Sequence, residues 1–249
     1  MSISGNGDPR PLYAQVRDQL IERIRSGAWK PGQLIPNEFE IAAEFGVSQG
    51  TARKAIEALA SERLVLRRQG RGTFVVEHTP AHVLFRFFNI LDDDDKTPIT
   101  PDSTQVKAEI ARATREERAR LDLAAADNVI RISRVRTRDG KPFITELIAL
   151  PEKLFPGLVD LPNIPNTLYD LFQKSYGILM MRTDDRLSAV ADAAAAEALG
   201  VAPGTPLLRI DRTAYALDDM PIEWRTSLCH LENAHYIART KLSHGSDER

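Results

Sequence analysis

One cysteine, Cys229, stands among 249 residues. No intrachain disulfide can form, so the core alone must hold the fold, as suits a reducing cytoplasm. Long apolar runs are lacking as well. Nothing approaches the roughly 20 consecutive apolar residues that a membrane-spanning helix needs, and the opening MSISGNGDPR has no apolar stretch of the kind a secretory leader carries. Charge of one sign is scarce, at a formal net of −2, which argues against general coating of nucleic acid. The histidines, at 78, 82, 230, 235 and 244, show no spacing typical of zinc ligands. No Walker loop, GxSxG elbow or GxGxxG phosphate cradle occurs. These absences predict a soluble intracellular protein that uses neither metal nor cofactor. The length and the 43% hydrophobic content are enough for two domains, each with its own core.

What is present is concentrated between residues 34 and 76, LIPNEFEIAAEFGVSQGTARKAIEALASERLVLRRQGRGTFVV. Asn37 can cap a helix, with Glu40 three residues on to close a capping box. The apolar stripe of that helix reads Phe39, Ile41, Ala42, Ala43 and Phe45, and Gly46 supplies the positive φ that ends it. Val47 fills the turn and Ser48 caps a second helix. A turn of that length makes a helix-turn-helix. In the second helix Ala52, Ile56, Leu59 and Ala60 face inward, which leaves Ser48, Gln49, Gly50, Thr51, Arg53 and Lys54 outward near its N-terminus. Such N-terminal residues are the ones that reach base edges in a major groove. Leu64 to Arg68 and Thr73 to Val76 then read as strands around the tip Gln69-Gly70-Arg71-Gly72, a wing whose Arg67, Arg68 and Arg71 suit phosphates or a minor groove. Residues 48 to 72 hold six basic groups against two acidic ones. Attraction to a polyanion therefore gathers where the shape also fits. Upstream, Leu12 to Arg25 reads as an amphipathic helix with Leu12, Val16, Leu20 and Ile24 on one face.

These residues resemble the GntR family of bacterial transcription regulators. The matching positions run from Pro11-Leu12-Tyr13 and Gln15-Val16, through Ile24, Gly27 and Pro31-Gly32, to Pro36-x-Glu38, Val47-Ser48, Thr51-x-Arg53 and Arg68-Gln69-Gly70-Arg71-Gly72-Thr73-Phe74-Val75. The resemblance implies that Glu38, Thr51, Arg53 and Gly70 lie at or near DNA, alongside the outward set and Arg68, Gln69 and Arg71. Two departures stand out: Asn37 where the family usually has Ser, and Gln49 where it often has Arg. Glutamine pairs best with adenine and arginine with guanine, so Gln49 points to an altered operator.

Beyond the polar stretch around Pro80 the balance reverses. Residues 79 to 249 carry 22 basic and 26 acidic groups, so that half is not expected to touch DNA. It contains a weak repeat: Leu121-x-Leu123-x6-Ile130-x-Ile132-x-Arg134 recurs as Leu199-x-Val201-x6-Leu208-x-Ile210-x-Arg212, each followed by a turn and a proline-led strand at Pro142 or Pro221. Helices are expected at about 112 to 121, 189 to 199 and 168 to 175, with a further strand from 83 to 90, and two similar α+β halves share one sheet with a cleft between them. The layout resembles the UTRA effector domain of the histidine-utilisation-repressor branch. Its motifs here are Asp139-Gly-x-Pro142 with Glu146, Leu168-Tyr169, Tyr176-Gly177, Ala198-Leu199-Gly200-Val201, Pro206-Leu207-Leu208 and Pro221-Ile222-Glu223.

The expected fold class is thus α+β: an N-terminal winged helix-turn-helix (9–78), a linker (79–82) and a C-terminal mixed α/β effector-binding and dimerisation domain (83–243) resembling the chorismate lyase, or UTRA, fold. On the strand 129–138 the two-residue period puts Ile130, Ile132, Arg134 and Arg136 on one inward face. Buried guanidiniums need anions, either Glu146 and Glu223 in a structural network or a bound carboxylate or phosphate. The UTRA resemblance implies an effector contacted by Arg134, Arg136, Glu146 and Glu223, with Arg212 and Tyr176 as further candidates. The acidic run Asp92 to Asp95 disfavours a phosphosugar facing it. The function expected is a ligand-responsive repressor, a homodimer on a pseudo-palindromic operator, answering to a small anionic or amphoteric metabolite. The other classes are an enzyme of chorismate-lyase-like fold acting on a small carboxylate, for which no nucleophile or acid-base pair is evident, and an architectural DNA binder without ligand.

Overall fold

The computed structural model describes residues 9–77, 89–94, 97 and 99–238. The linker 79–82 and nearly all of the strand expected at 83–90 lie outside them. The chain divides into two compact units, one of residues 1–79, 167–182 and 214–220, the other of the remainder.

In the first unit, helix α1 (Leu12–Arg25) buries Val16 and Leu20, whereas Leu12, expected on the same stripe, is exposed. Helix α2 (Glu38–Phe45) opens with the capping box: the Asn37 side chain accepts from the Phe39 and Glu40 amides, and Glu40 accepts from the Asn37 amide. Two orphan donors of the first turn are so satisfied. Only Ile41, Ala42 and Phe45 of its stripe are buried; Phe39 and Ala43 face outward, a correction to the reading above. The period explains it, since residues 39 and 43 lie more than 90° around the helix from the 41–45 line. Gly46, at φ 67°, ends α2 in the left-handed region, and Ser48 caps helix α3 (Gln49–Ser61) by accepting from the Thr51 amide. Ala52, Ala55, Ile56 and Leu59 of α3 enter a core with Val16, Leu20, Ile41, Phe45 and Leu64. Strands β1 (Val65–Arg68) and β2 (Gly72–Val75) pair antiparallel as the wing, and Leu34 bridges to Phe74. Helix α5 (Leu168–Tyr176) belongs to this unit: its Gln173 donates to the Val76 carbonyl at 2.9 Å, and Leu179 joins the same core.

In the second unit a two-stranded antiparallel sheet of β3 (Ile90–Asp92) and β10 (Ala234–Tyr236) accompanies a six-stranded sheet. The sheet comprises β4 (Asp102–Arg112), β5 (Asn128–Arg138), β6 (Lys141–Pro151), β7 (Arg182–Val190), β8 (Leu207–Tyr215) and β9 (Pro221–Cys229). Its order, β4-β5-β6-β9-β8-β7, is symmetric about the β6–β9 pair. Each half is a strand, a seven-residue helix, then two strands, with helices α4 (Arg115–Leu121) and α6 (Ala193–Leu199) capped by Thr114 and Asp192. The repeat seen in the sequence is this topological duplication. Its halves join edge to edge through β6 and β9 rather than across a cleft.

Both helices begin later than expected because strands β4 and β7 occupy the preceding residues. Those two edge strands are polar and largely exposed, so they carry no inward-outward alternation to read. On one sheet face Leu121 packs with Val129 and Ala149 under α4, and Leu199 with Leu207 and Leu228 under α6. Between them the row Lys107, Ser133, Leu147 stays uncovered, and Leu147 is 52% exposed in a central strand. Among the described residues no helix is long and apolar enough to cross a membrane.

Candidate nucleic-acid interface and effector site

The outward residues of α3 are where the sequence puts them. Ser48, Gln49, Gly50, Arg53 and Lys54 are exposed and Thr51 is half-buried. They are also internally organised. The Ser48 and Thr51 hydroxyls lie 2.9 Å apart, Arg53 Nε donates to Glu57 Oε1 at 2.9 Å, and Lys54 Nζ sits 4.2 Å from the centre of the Tyr13 ring. The hydrogen bond and charge of Glu57 push the Arg53 pKa upward.

The wing tip projects into solvent. Residues 66 to 72 are exposed, Gly70 has φ 69°, and a Cβ added there meets nothing within 4 Å. The Arg68 guanidinium stacks over Phe74 at 4.9 Å, and Arg67 Nη2 donates to Glu38 Oε1 at 2.8 Å. Glu38 thus ties the first turn of α2 to the wing.

In the second unit the residues singled out on β5 and β6 converge. Arg134 pairs across strands with Glu146, and its Nε lies 2.5 Å from Glu146 Oε2, both side chains almost wholly buried. Arg136 Nη1 lies 3.6 Å from the same oxygen. Glu146 Oε1 accepts from Arg225 Nη1 at 3.1 Å and from Ser227 at 3.4 Å, while Arg225 Nη2 donates to Glu223 at 2.8 Å. Arg134 and Arg136 both donate to the Asn166 carbonyl, at 3.3 and 3.2 Å. Burial works to raise the Glu146 pKa, but the charges of Arg134, Arg225 and Arg136 outweigh it and hold the carboxyl well below the usual range. Burial likewise draws Arg136 down to about 10, against the pull of Glu146. The three guanidiniums thus share Glu146 and Glu223, and the charge of Asp102 also acts on Arg136.

Arg212 grips Asp185 through Nε and Nη2 at 2.7 and 2.6 Å, and Tyr236 Oη donates to the same carboxylate at 2.6 Å. A cavity of about 20 Å³ lies among Asn89, Glu146, Arg212, Arg225, Ser227 and Tyr236. That is room for about one water molecule. Any larger ligand has to displace side chains. Tyr176 does not join this group: it lines a separate cavity of about 370 Å³ in the first unit, with Ile24, Leu64 and Leu217. The spacing of Tyr176-Gly177 could not reveal this, because it depends on where α5 packs.

Residues 12–75 match the model of the bacterial regulatory proteins of the gntR family, and residues 98–235 match the UTRA domain. The chain belongs to the GntR family, with a UTRA domain behind the reading head. The HTH-type transcriptional repressor NagR of Bacillus subtilis is 29% identical over 235 residues, covering 93% of this chain and 96% of NagR. The mannosyl-D-glycerate transport/metabolism system repressor MngR of Escherichia coli is 25% identical over 237 residues, 94% of this chain and 98% of MngR. Among solved structures, the ligand-binding domain of a GntR-family regulator from Bordetella bronchiseptica is 32% identical, with a TM-score of 0.57, over 64% of this chain and 98% of that one. This GntR protein is accordingly a DNA-binding transcription regulator, not an enzyme.

Three members of the regulator's buried network escaped sequence reasoning. Arg225 and Ser227 were legible, since Glu223, Arg225 and Ser227 follow the same two-residue period that exposed Arg134 and Arg136. Asp185 was not, because its strand shows no pattern. Arg138, next along the same alternation, is half-buried and donates to Asp92 at 2.7 Å. Asp92 and Asp94 of the acidic run are engaged within this unit, Asp94 accepting from the Thr97 amide and hydroxyl. For the wing, Gly70→Val is expected to lower stability by only about 1–2 kcal/mol, the backbone cost of a side chain at positive φ, because open space surrounds it. Operator affinity should fall far more. Thermal unfolding beside DNA retardation of the same variant checks this.

Proposed function

We propose that this regulator is a homodimeric, cytoplasmic repressor whose affinity for a pseudo-palindromic operator is set by a small metabolite bearing one anionic group, bound at the network around Glu146. In this reading residues 9–78 read DNA and 83–243 bind effector and dimerise. The observation that carries it is the convergence of Arg134, Arg136 and Arg225 in a buried place. Three guanidiniums gathered where water is nearly excluded present donors of the kind that recognise an anionic group. The name of the E. coli relative ties it to mannosyl-D-glycerate, a carboxylate, in keeping with an anionic effector. A sheet face left open around Leu147 between α4 and α6 supports a second copy seated there. One winged module is too small for strong specific binding, whereas two related by a two-fold match a repeated half-site.

Binding then acts by population shift. An anion that enters the network must reorganise the hydrogen bonds of Arg134, Arg136 and Arg225, and it favours whichever arrangement of the dimer accommodates that change. The test uses the full-length protein and DNA selected by it from a random pool. Sugar carboxylates and sugar phosphates should raise the melting temperature and change retardation of that DNA, and the matching neutral sugars should do neither. In Arg136→Met one of the gathered cations is gone while Glu146 keeps Arg134 and Arg225, so DNA binding should persist while the anion response disappears. Equal stabilisation by neutral sugars, or an undiminished response in Arg136→Met, would reject the anionic site.

A further inference from the structure

The first turn of α2 carries an aromatic side chain that the fold does not use. Phe39 is 68% exposed, the most exposed of the large apolar side chains among the described residues, and it lies outside the Ile41–Phe45 core line. Its position is held from two sides. The capping box fixes the backbone at Asn37 and Glu40, and the neighbouring Glu38 is hydrogen-bonded to Arg67 of the wing. The charge of Glu38 also reaches Arg53 on α3. The turn that displays Phe39 therefore stands between the recognition helix and the wing, the two elements that meet DNA.

In a helix-turn-helix the helix ahead of the recognition helix crosses the sugar-phosphate backbone. A phenyl ring there cannot neutralise a phosphate, but it can cover the apolar face of a deoxyribose. We propose that Phe39 packs on backbone sugars of the operator and supplies a contact that added salt does not weaken. This rests on α3 and the wing being the DNA-facing surface. Binding through phosphates loses affinity linearly in log salt, by about 0.9 per phosphate neutralised; burial of a ring against sugar releases no counterion. The regulator would then hold DNA at salt concentrations where a purely ionic edge has let go.

The experiment measures affinity of the full-length protein for DNA selected from a random pool, by fluorescence anisotropy at several salt concentrations. Phe39→Ser should weaken binding by about tenfold across two half-sites, roughly the loss of a half-covered ring at each, on every sequence tested and with an unchanged salt slope. Phe39→Arg should regain affinity at low salt and steepen the slope by about 0.9 per subunit. Arg53→Ala is the control for the surface itself: if it abolishes binding while Phe39→Ser binds like the wild type, the surface stands and the proposal falls. A lowered melting temperature in Phe39→Ser would give the ring a structural role and overturn the proposal. So would an affinity loss confined to sites with a thymine and removed by deoxyuridine, which would make the contact a base methyl instead.

Discussion

Glu146→Gln is expected to lower the stability of the protein by roughly 3–5 kcal/mol, the usual cost of removing one partner from a buried ion network. The carboxylate is the hub: Arg134, Arg136, Arg225 and Ser227 all turn toward it, and both it and Arg134 are almost fully buried. The amide keeps the shape and loses the charge, so three guanidiniums remain around a neutral group. At ~2–4 °C per kcal/mol in a protein of this size, the transition that reports the second unit should fall by about 10 °C or more. Calorimetry of the full chain would show it. The double variant Glu146→Gln, Arg134→Met should be less destabilised than the single one, because it removes the cation stranded by the first change. If the single variant melts like the wild type, the network is not the stabilising centre that its geometry implies.

The same carboxylate sets an acid limb with a definite sign. Its folded pKa lies below the ordinary value of 4.5, so its contribution is complete above about pH 4.5 and is lost as pH falls through the folded pKa. The gap in stability between wild type and Glu146→Gln should therefore be constant from neutrality to about pH 5 and narrow at lower pH. A gap that widened on acidification would mean that Glu146 is protonated more easily in the folded protein than in the unfolded one, contrary to three converging guanidiniums.

How much of this was readable beforehand follows from which residues carry a local signal. The capping box at Asn37 and Glu40, the Gly46 stop and the Ser48 cap are chemistry within four residues, and each appears as expected. The wing tip was legible for the same reason, since two glycines and three arginines announce both a turn and a polyanion. On β5 the alternation of Ile130, Ile132, Arg134 and Arg136 marked an inward face, and all four are buried. The polar edge strands β4 and β7 were invisible because exposure on both faces erases the period. Asp185 was lost with them. Phe39 was misplaced by counting it as core on composition, when its angle around α2 already set it apart. Partner choice was the least legible property: that Glu38 binds Arg67, or that Arg212 binds Asp185, depends on packing between distant segments.

Arg53→Ala should abolish retardation of the selected operator while leaving the fold untouched. Its side chain is 67% exposed, and its one ion pair, with Glu57, is a surface i,i+4 contact that adds little to stability in water. On DNA the position changes meaning. A guanidinium in the groove gives base discrimination of roughly tenfold to a hundredfold at each half-site, compounded when a dimer uses two. Glu57 competes for the same group, so Glu57→Gln should raise affinity by releasing Arg53. The wing arginine gives the contrast: Arg71→Ala should weaken binding to all sequences alike and reduce the salt slope by about one per contact, because it meets phosphate rather than a base edge. Gln49 separates reading from holding. If it faces adenine, Gln49→Arg should move the preferred base at one operator position from adenine to guanine and leave overall affinity for the reselected site intact. Selection from a random pool with each variant reads all of these at once. An Arg53→Ala protein that selects the wild-type sequence at wild-type affinity would remove α3 from the groove.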